Sequence, residues 1–133
     1  WIEVGNLHGN RGHGLPGNQL MMSPMSRVFF GFDAHDVEPD TLIGYVTIIY
    51  KGHISSDRSL RFSNNSMDVL SLPVPDAGGP PCYDKSTILF QKKPTDGFEM
   101  TIGNSEQSNK WMERSKAVGG LFEMSSGRKW GVF

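Results

Sequence analysis

The chain has 133 residues, with 13 lysines and arginines against 14 aspartates and glutamates, and a formal net charge of −1. This length suits one domain with one core, and the hydrophobic share of 37% excludes a disordered chain. The charge excludes a uniformly basic nucleic-acid binder, and the single cysteine excludes an internal disulfide. No apolar run approaches the roughly 20 residues of a membrane helix, so we expect no membrane partner and a cytoplasmic location. Because the chain starts at Trp1, we expect residues 1–133 to be one domain of a longer protein.

The first half of the chain predicts short strands around one helix. The loop Gly5–Asn18 contains five glycines and no apolar periodicity. Ser23 and Pro24 are typical of a helix start, Met25, Val28 and Phe29 would share one face of that helix, and Gly31 would end it. An acidic loop, Phe32–Asp40, follows. The predicted strands are Trp1–Val4, Gln19–Met22, Thr41–Tyr50, His53–Phe62 and Met67–Leu72.

The second half predicts two hairpins and a second helix. Pro73–Pro81 is predicted to be a loop because it holds four prolines. Ser86–Lys92 and Phe98–Ile102 flank a turn sequence, as do Leu121–Met124 and Lys129–Phe133. Asn104 and Gln107 have the spacing of a capping box, and the helix they start would turn four residues inward and end at Gly119. The four are Trp111, Met112, Ser115 and Val118. The lack of regular strand–helix alternation favours a mostly β fold, a mostly antiparallel barrel or sandwich with two short helices.

No catalytic or metal-binding motif is evident. Cys82 lies in a proline-rich loop without a flanking motif, and no phosphate-binding loop, Gly-x-Ser-x-Gly or His-x-Lys sequence occurs. His8 and His13 are not followed by a third ligand. A cluster of Asp33, His35, Asp36, Glu38 and Asp40 lacks the spacing of a calcium loop and is interpreted as solvated. We therefore expect no cofactor and no catalytic residue in this chain.

Two alternatives stay open at this point. A metal-dependent nuclease could use Asp76 and Lys93, although Gln91 stands where a second acid is needed. A carbohydrate- or peptide-binding β domain would show exposed aromatic residues on one sheet face. Trp1, Trp111 and Trp130 all lie in apolar patterns and are predicted to be core residues, which weakens that alternative.

Three stretches are rich in groups that contact DNA. Arginine pairs with guanine and asparagine or glutamine with adenine, while lysine, arginine and serine contact phosphates. We predict base or groove contacts from Asn10, Arg11, Arg58 and Arg61, and phosphate contacts from Arg128 and Lys129. The candidate DNA-binding residues are His8, Asn10, Arg11, His13, Asn18 and Gln19 in the first stretch, Lys51, Arg58, Arg61, Asn64 and Asn65 in the second, and Ser125, Ser126, Arg128 and Lys129 in the third.

The segment Gln19-Leu-Met-Met-Ser-Pro-Met-Ser-Arg-Val-Phe-Phe-Gly31 resembles the strand–proline–helix segment of B-three-type DNA-binding pseudobarrels. It is most similar to those at the C-termini of phospholipase-D-family restriction endonucleases and related prokaryotic nucleases. The Trp111 helix and the ending Gly127-Arg-Lys-Trp-Gly-Val-Phe133 also resemble that module. The resemblance implies an open antiparallel pseudobarrel of about seven to nine short strands with two short helices.

The same resemblance implies a function. Family members grip the major groove with two arms, which by position would be Gly5–Asn18, here named the N-arm, and Lys51–Asn65, the C-arm. The chain would then be a sequence-specific reader of double-stranded DNA in a host-defence system. It would not be an enzyme itself, because catalysis in that family belongs to a separate nuclease domain to which the reader is fused or with which it works.

Overall fold

The computed structural model of the protein describes residues 1–7 and 14–133. The predicted mostly β class is confirmed: nine strands form one curled, open sheet, a half-barrel, accompanied by one α-helix. The strand order across the sheet is β10-β11-β1-β8-β9-β3-β4-β5-β2. The strands of this sheet are β1 (Ile2–Glu3), β2 (Gln19–Met22), β3 (Thr41–Tyr50), β4 (His53–Phe62), β5 (Asp68–Ser71), β8 (Thr87–Lys92), β9 (Phe98–Gly103), β10 (Leu121–Glu123) and β11 (Lys129–Gly131).

The pairing directions give the half-barrel two distinct ends. At one end, the upper end, Glu3 pairs with Thr87, Thr87 with Gly103, and Gln19 with Ser71. At the other, the lower end, Lys92 pairs with Phe98 and Met22 with Asp68. Strands β3 and β9 run parallel, with Ile48 beside Phe98, so Tyr50 and His53 also lie toward the upper end. This parallel contact joins the two halves of a sheet whose other pairings are antiparallel, in keeping with the predicted mostly antiparallel fold.

Two long strands, β3 and β4, make the most extensive pairing in the sheet. Valine, isoleucine, threonine and tyrosine favour the extended backbone of β3. The turn after it, Lys51-Gly52, has φ values of 46° and 82°, the positive pair that a two-residue hairpin requires. Inward side chains of neighbouring strands then form the core, in which Leu20, Leu60 and Leu70 are fully buried. Burial of such apolar side chains is the main stabilising contribution to the fold.

The first predicted helix is a single 3₁₀ segment, Pro24–Val28, started as expected by Ser23. Its predicted apolar face is not buried: Met25 and Val28 are 66% and 55% exposed, and Phe29 is also exposed. The buried residue of this segment is Arg27, which is 3% exposed. With three residues per turn, residues 25 and 28 line up on one side while residue 27 turns toward the sheet.

The second predicted helix is confirmed as α1 (Ser105–Ala117). The Asn104 side chain accepts a hydrogen bond from Gln107 N–H at 2.9 Å, and the Gln107 side chain accepts one from Asn104 N–H at 3.0 Å. Trp111 and Ser115 are buried as predicted, but Val118 is 66% exposed because the helix ends one residue before it. The Trp111 ring lies over Gly103, where any Cβ atom would come within 2.4 Å of it.

The proline-rich stretch predicted as a loop contains two very short strands, β6 (Val74–Pro75) and β7 (Gly78–Gly79), which pair in parallel. Tyr83 anchors the stretch by donating its buried hydroxyl to the Pro73 carbonyl at 2.6 Å. A Cβ atom at position 79 would lie 2.6 Å from both of these groups, so glycine is required there. Burial raises the Tyr83 pKa well above its usual range, which keeps the hydroxyl a donor.

Candidate nucleic-acid interface

The upper end brings together two of the three stretches predicted to bind DNA. The N-arm leaves β1 and enters β2 at this end, because Glu3 and Gln19 are both upper-end residues. The turn that carries Ser125 and Ser126 lies there too, since β11 starts beside the end of β1. Of the candidate DNA-binding residues in the N-arm, His8, Asn10, Arg11 and His13 lie outside the described residues.

A polar cleft of about 350 Å³ opens where the base of the N-arm meets this turn. We call it the upper cleft. It carries two cationic side chains, from Lys85 and Arg128, and one carboxylate, from Glu3. Its lining residues are Glu3, Gly5, Lys85, Ser86, Thr87, Ser126, Gly127 and Arg128.

Arg128, predicted to contact phosphate, lies across the opening of the half-barrel. Its Nη1 donates to the carbonyl of Glu3 at 2.9 Å and its Nη2 to that of Met21 at 2.6 Å. Strand β2 is one edge of the open sheet, whereas β1 is an inner strand on the opposite side, between β11 and β8, so this guanidinium connects the two sides. Burial lowers the Arg128 pKa, and the Glu3 carboxylate opposes that shift. Carbonyl groups carry no net charge, so the partners that Arg128 directly contacts do not neutralise its positive charge.

The neighbours of Arg128 are arranged around the same turn. Lys129 N–H donates to a Glu3 carboxylate oxygen at 2.6 Å, which fixes the start of β11 against β1. Ser126 Oγ accepts from Arg128 N–H at 3.5 Å. Ser125, Ser126 and Gly127 are exposed, and Gly127, which has a φ of 91°, closes the turn by donating its N–H to Met124 O at 2.8 Å.

Asn18 and Arg58, predicted to contact DNA, converge on one main-chain carbonyl. The buried Asn18 side chain donates to Leu72 O at 3.0 Å, and Arg58 Nη1 donates to the same oxygen at 3.2 Å. Arg58 shares the core-facing side of β4 with Leu60 and also contacts Asp57 at 3.1 Å. In this conformation Asn18 ties the start of β2 to the residue after β5, Arg58 ties β4 to the same residue, and neither side chain extends outward.

The predicted C-arm is divided between the two ends. Lys51 is exposed in the turn near the upper end, with its Nζ 5.5 Å from the Tyr50 ring centroid. Arg61, Asn64 and Asn65 follow at the lower end, because β4 runs the length of the sheet between them and Lys51. Arg61 donates to the main-chain carbonyl of Asp40 at 3.0 Å, and Asn65 Nδ2 donates to Met21 Sδ at 3.6 Å. The stretch Lys51–Asn65 is therefore a hairpin turn, a strand and a second turn, as predicted, and its two turns lie toward opposite ends of the half-barrel.

Gln19, at the start of β2, belongs to the outer surface near the upper end. Its Nε2 donates to Ser71 Oγ at 3.1 Å, and Ser71 Oγ lies 3.1 Å from Ser59 Oγ. The three side chains form a polar row across β2, β5 and β4. This row places Gln19 beside the point where the N-arm enters the sheet.

Lys85 is a cleft residue that sequence reasoning missed. It is exposed, adopts a φ of 61°, and its N–H donates to Gly5 O at 2.6 Å, directly at the base of the N-arm. Nothing local marks it, because its neighbours are a proline-rich loop and Asp84. Only the pairing of β8 with β1 brings position 85 to the N-arm, and that pairing cannot be read from the sequence alone.

The structure does not bring together the residues of the nuclease alternative. Asp76 lies in the connection between the upper ends of β5 and β8, whereas Lys93 follows the lower end of β8 and lies 4.0 Å from Glu99. Within residues 1–7 and 14–133, no three histidine, cysteine, aspartate or glutamate side chains form a group able to hold a metal ion. Cys82 is exposed.

Two of the three tryptophans are buried as predicted, Trp1 and Trp111, each 8% exposed. Trp130 is half-buried and stacks on Phe122, with 4.5 Å between ring centroids. No helix in the described part of the chain has the length and apolar character needed to cross a membrane.

Comparison with family models, with curated proteins and with solved structures gave no significant match for this chain.

Proposed function

We propose that this domain binds double-stranded DNA with the upper end of the half-barrel. The observation that carries the proposal is the upper cleft, where Lys85, Arg128 and Ser126 meet the base of the N-arm. The N-arm carries Arg11 and no acidic residue between positions 5 and 19. Cationic side chains and exposed main-chain N–H groups contact phosphates and set register, while amide and guanidinium groups on a projecting segment read base edges.

Within this proposal the predicted contacts divide into two groups. The N-arm, Lys51, Lys85, Ser125, Ser126 and Lys129 belong to the DNA-binding surface. Arg128 supports that surface mainly by holding it together, since its guanidinium already donates to carbonyls on both sides of the opening. Arg58, Arg61, Asn64 and Asn65 do not belong to it, because they are turned inward or lie at the lower end.

The resemblance to B-three-type pseudobarrels also suggests the system in which this domain works. We propose that the domain is the reading module of a prokaryotic cytoplasmic defence system, fused to or working with a nuclease domain that cuts the DNA. The open β half-barrel supports this reading at the level of shape.

The proposal is tested by fluorescence anisotropy with random-sequence duplexes, with and without magnesium. We expect binding in both conditions and intact duplex afterwards. Lys85→Gln should weaken binding and reduce the slope of log K against log salt by about one, as expected for one lost phosphate contact. Lys110→Gln is the matched control, because Lys110 is an exposed lysine on α1 whose removal changes the net charge equally. Equal effects of the two substitutions, or no binding, would contradict the proposal, and magnesium-dependent cleavage would favour the nuclease.

A further inference from the structure

The outer face of the sheet carries an exposed tyrosine that the DNA-binding surface does not use. Tyr45, in the middle of β3, is 61% exposed. Its pairing partner on β4 is Ser59, and the next residue of β4, Leu60, is fully buried in the core. Because side chains alternate between the two faces of a strand, Tyr45 and Ser59 both stand on the outer face. An aromatic ring exposed on a sheet face is the feature expected of a carbohydrate-binding β domain.

Tyr45 lies at one end of a row of polar side chains that crosses four neighbouring strands. The row continues through Ser59 on β4, Ser71 on β5 and Gln19 on β2. Ser59 Oγ and Ser71 Oγ are 3.1 Å apart, and Gln19 Nε2 donates to Ser71 Oγ at 3.1 Å. Because neighbouring strands are about 4.8 Å apart, the row is about 14 Å long. We call these four residues the outer row.

The outer row contains no charged side chain. Its members are a tyrosine, two serines and a glutamine. Asp57 and Arg61 stand on either side of Ser59 along β4, and each already has a partner. Asp57 contacts Arg58 at 3.1 Å, and Arg61 donates to Asp40 O at 3.0 Å. Electrostatic complementarity therefore favours an uncharged ligand over a phosphate or a carboxylate.

The chemistry beside Tyr45 matches a neutral sugar. The apolar face of a pyranose ring stacks on an aromatic ring, while sugar hydroxyl groups both donate and accept hydrogen bonds. The Ser59 hydroxyl can donate one hydrogen bond and accept two, and Ser71 Oγ is its one partner among the described residues. An aromatic ring and a hydroxyl with spare capacity therefore stand on directly paired residues, where one sugar unit can use both.

An extended peptide matches this face less well, because the main chain beneath it is already paired. Strand β4 pairs with β3 and β5, and β5 pairs with β4 and β2. A peptide lying across the face would find side chains but no main-chain groups for its own amides. A sugar needs only side chains.

We propose that the outer row binds a neutral oligosaccharide, with one pyranose ring stacked on Tyr45 and its hydroxyl groups bonded to Ser59. Ser71 and Gln19 contact the following sugar units along the row. This site is separate from the DNA-binding surface, and its failure would leave the DNA-binding proposal unchanged.

Titration with neutral oligosaccharides, followed by amide chemical shifts, tests the ligand. The probes are maltohexaose, cellohexaose, chitohexaose and mannohexaose. We expect at least one of them to shift the amides of the outer row and to leave Lys85 and Ser126 in the upper cleft unchanged. An anionic alginate hexasaccharide should bind more weakly than that probe. No shift in the outer row with any of the four neutral probes would overturn the proposal.

Substitutions of Tyr45 test the stacking. Tyr45→Ala should weaken binding of the best probe about tenfold, whereas Tyr45→Phe keeps the ring and should bind like the wild type. Ile54→Ala is the control, because Ile54 is an apolar residue of β4 with a similar exposure of 63%. Thermal unfolding checks that each variant is folded. Unchanged binding in Tyr45→Ala, or an equal loss in Ile54→Ala, would overturn the proposal.

Other ligand classes are distinguished with the same amides. A random-sequence duplex or a proline-rich peptide should leave the outer row unshifted. If either shifts Tyr45 and Ser59 while no neutral oligosaccharide does, the outer row belongs to that ligand and the proposal is overturned.

Discussion

Arg27 and Arg128 both direct their guanidinium groups into the protein. Arg27 forms two hydrogen bonds to Asp68, at 2.9 Å and 2.6 Å, and donates to His35 O at 3.0 Å. This arrangement ties the 3₁₀ segment to β5 and to the acidic loop. Arg128 connects β1 to β2. Arg128 lies in a polar stretch that is typical of a surface, and Arg27 lies among apolar residues that were themselves predicted to be the buried face. The burial of neither arginine could be predicted from the sequence.

Replacing Asp68 with alanine should destabilise the domain by about 3–5 kcal/mol, because Arg27 would be left buried and unpaired. The measurement is the free energy of unfolding from urea denaturation. Glu113→Ala, which removes one partner of an exposed pair with Lys116, is the control and should cost less than about 1 kcal/mol. A cost below that level for Asp68→Ala would show that the buried pair is not formed.

Arg128→Ala should lower stability by roughly 2–3 kcal/mol, since a charged donor and its contacts with the carbonyls of Glu3 and Met21 are lost together. The amides of β2 should exchange faster, because this edge strand loses its connection across the opening. Arg61→Ala, which removes an exposed arginine with one carbonyl partner, should have a much smaller effect. Unchanged β2 exchange in Arg128→Ala would contradict the bridging role of Arg128.

At the scale of elements, the sequence predicted those structures whose signals are local. The capping box at Asn104 and the turn Lys51-Gly52 depend on residues a few positions apart, and both formed as expected. The prediction of which side of the 3₁₀ segment is buried was wrong, because it assumed the 3.6-residue period of an α-helix and the segment has three residues per turn. The two turns of Lys51–Asn65 lie toward opposite ends of the half-barrel because the ten-residue strand β4 stands between them. Composition identified the stretch as polar and basic but carries no information about strand length.

Helix α1 offers a test at this scale. Asn104→Ala removes the side-chain acceptor for Gln107 N–H and should cost about 1 kcal/mol of stability. Asn109→Ala is the same substitution at an exposed position inside α1, where alanine has the better helix propensity, and should be neutral or slightly stabilising. Both are measured by thermal unfolding monitored by circular dichroism. Equal effects would show that the capping box does not contribute.

At the scale of the whole molecule, the half-barrel places the acidic loop and the upper cleft at opposite ends. The acidic loop with Asp33, Asp36, Glu38 and Asp40 joins the lower ends of β2 and β3, whereas Lys51, Lys85, Arg128 and the base of the N-arm are at the upper end. A net charge of −1 therefore hides an uneven distribution. The acidic loop repels a polyanion, so the proposed binding orientation turns this loop away from the DNA.

The upper cleft depends on pairing between strands that are distant in the sequence. Such pairing could not be predicted from the sequence, so the sequence indicated only parts of the site. The N-arm and the Ser125–Arg128 turn were each identified by composition, but their meeting follows from β1 lying between β8 and β11. Lys85 joins them for the same reason. Residues such as Asn18 and Arg58 have DNA-contacting side chains by chemistry, yet the fold uses both to satisfy one main-chain carbonyl.

The most direct test of DNA binding by the upper end is a map of amide chemical-shift changes on titration with a random-sequence duplex. We predict the largest changes at Gly5, Lys51, Lys85, Ser126 and the N-arm, and little change at Asn64, Asn65 and the Lys93–Gly97 turn. The pattern should weaken as salt is raised, because phosphate contacts release counterions. Changes centred on the lower end, or no changes at low salt, would contradict the proposed orientation and the proposed function.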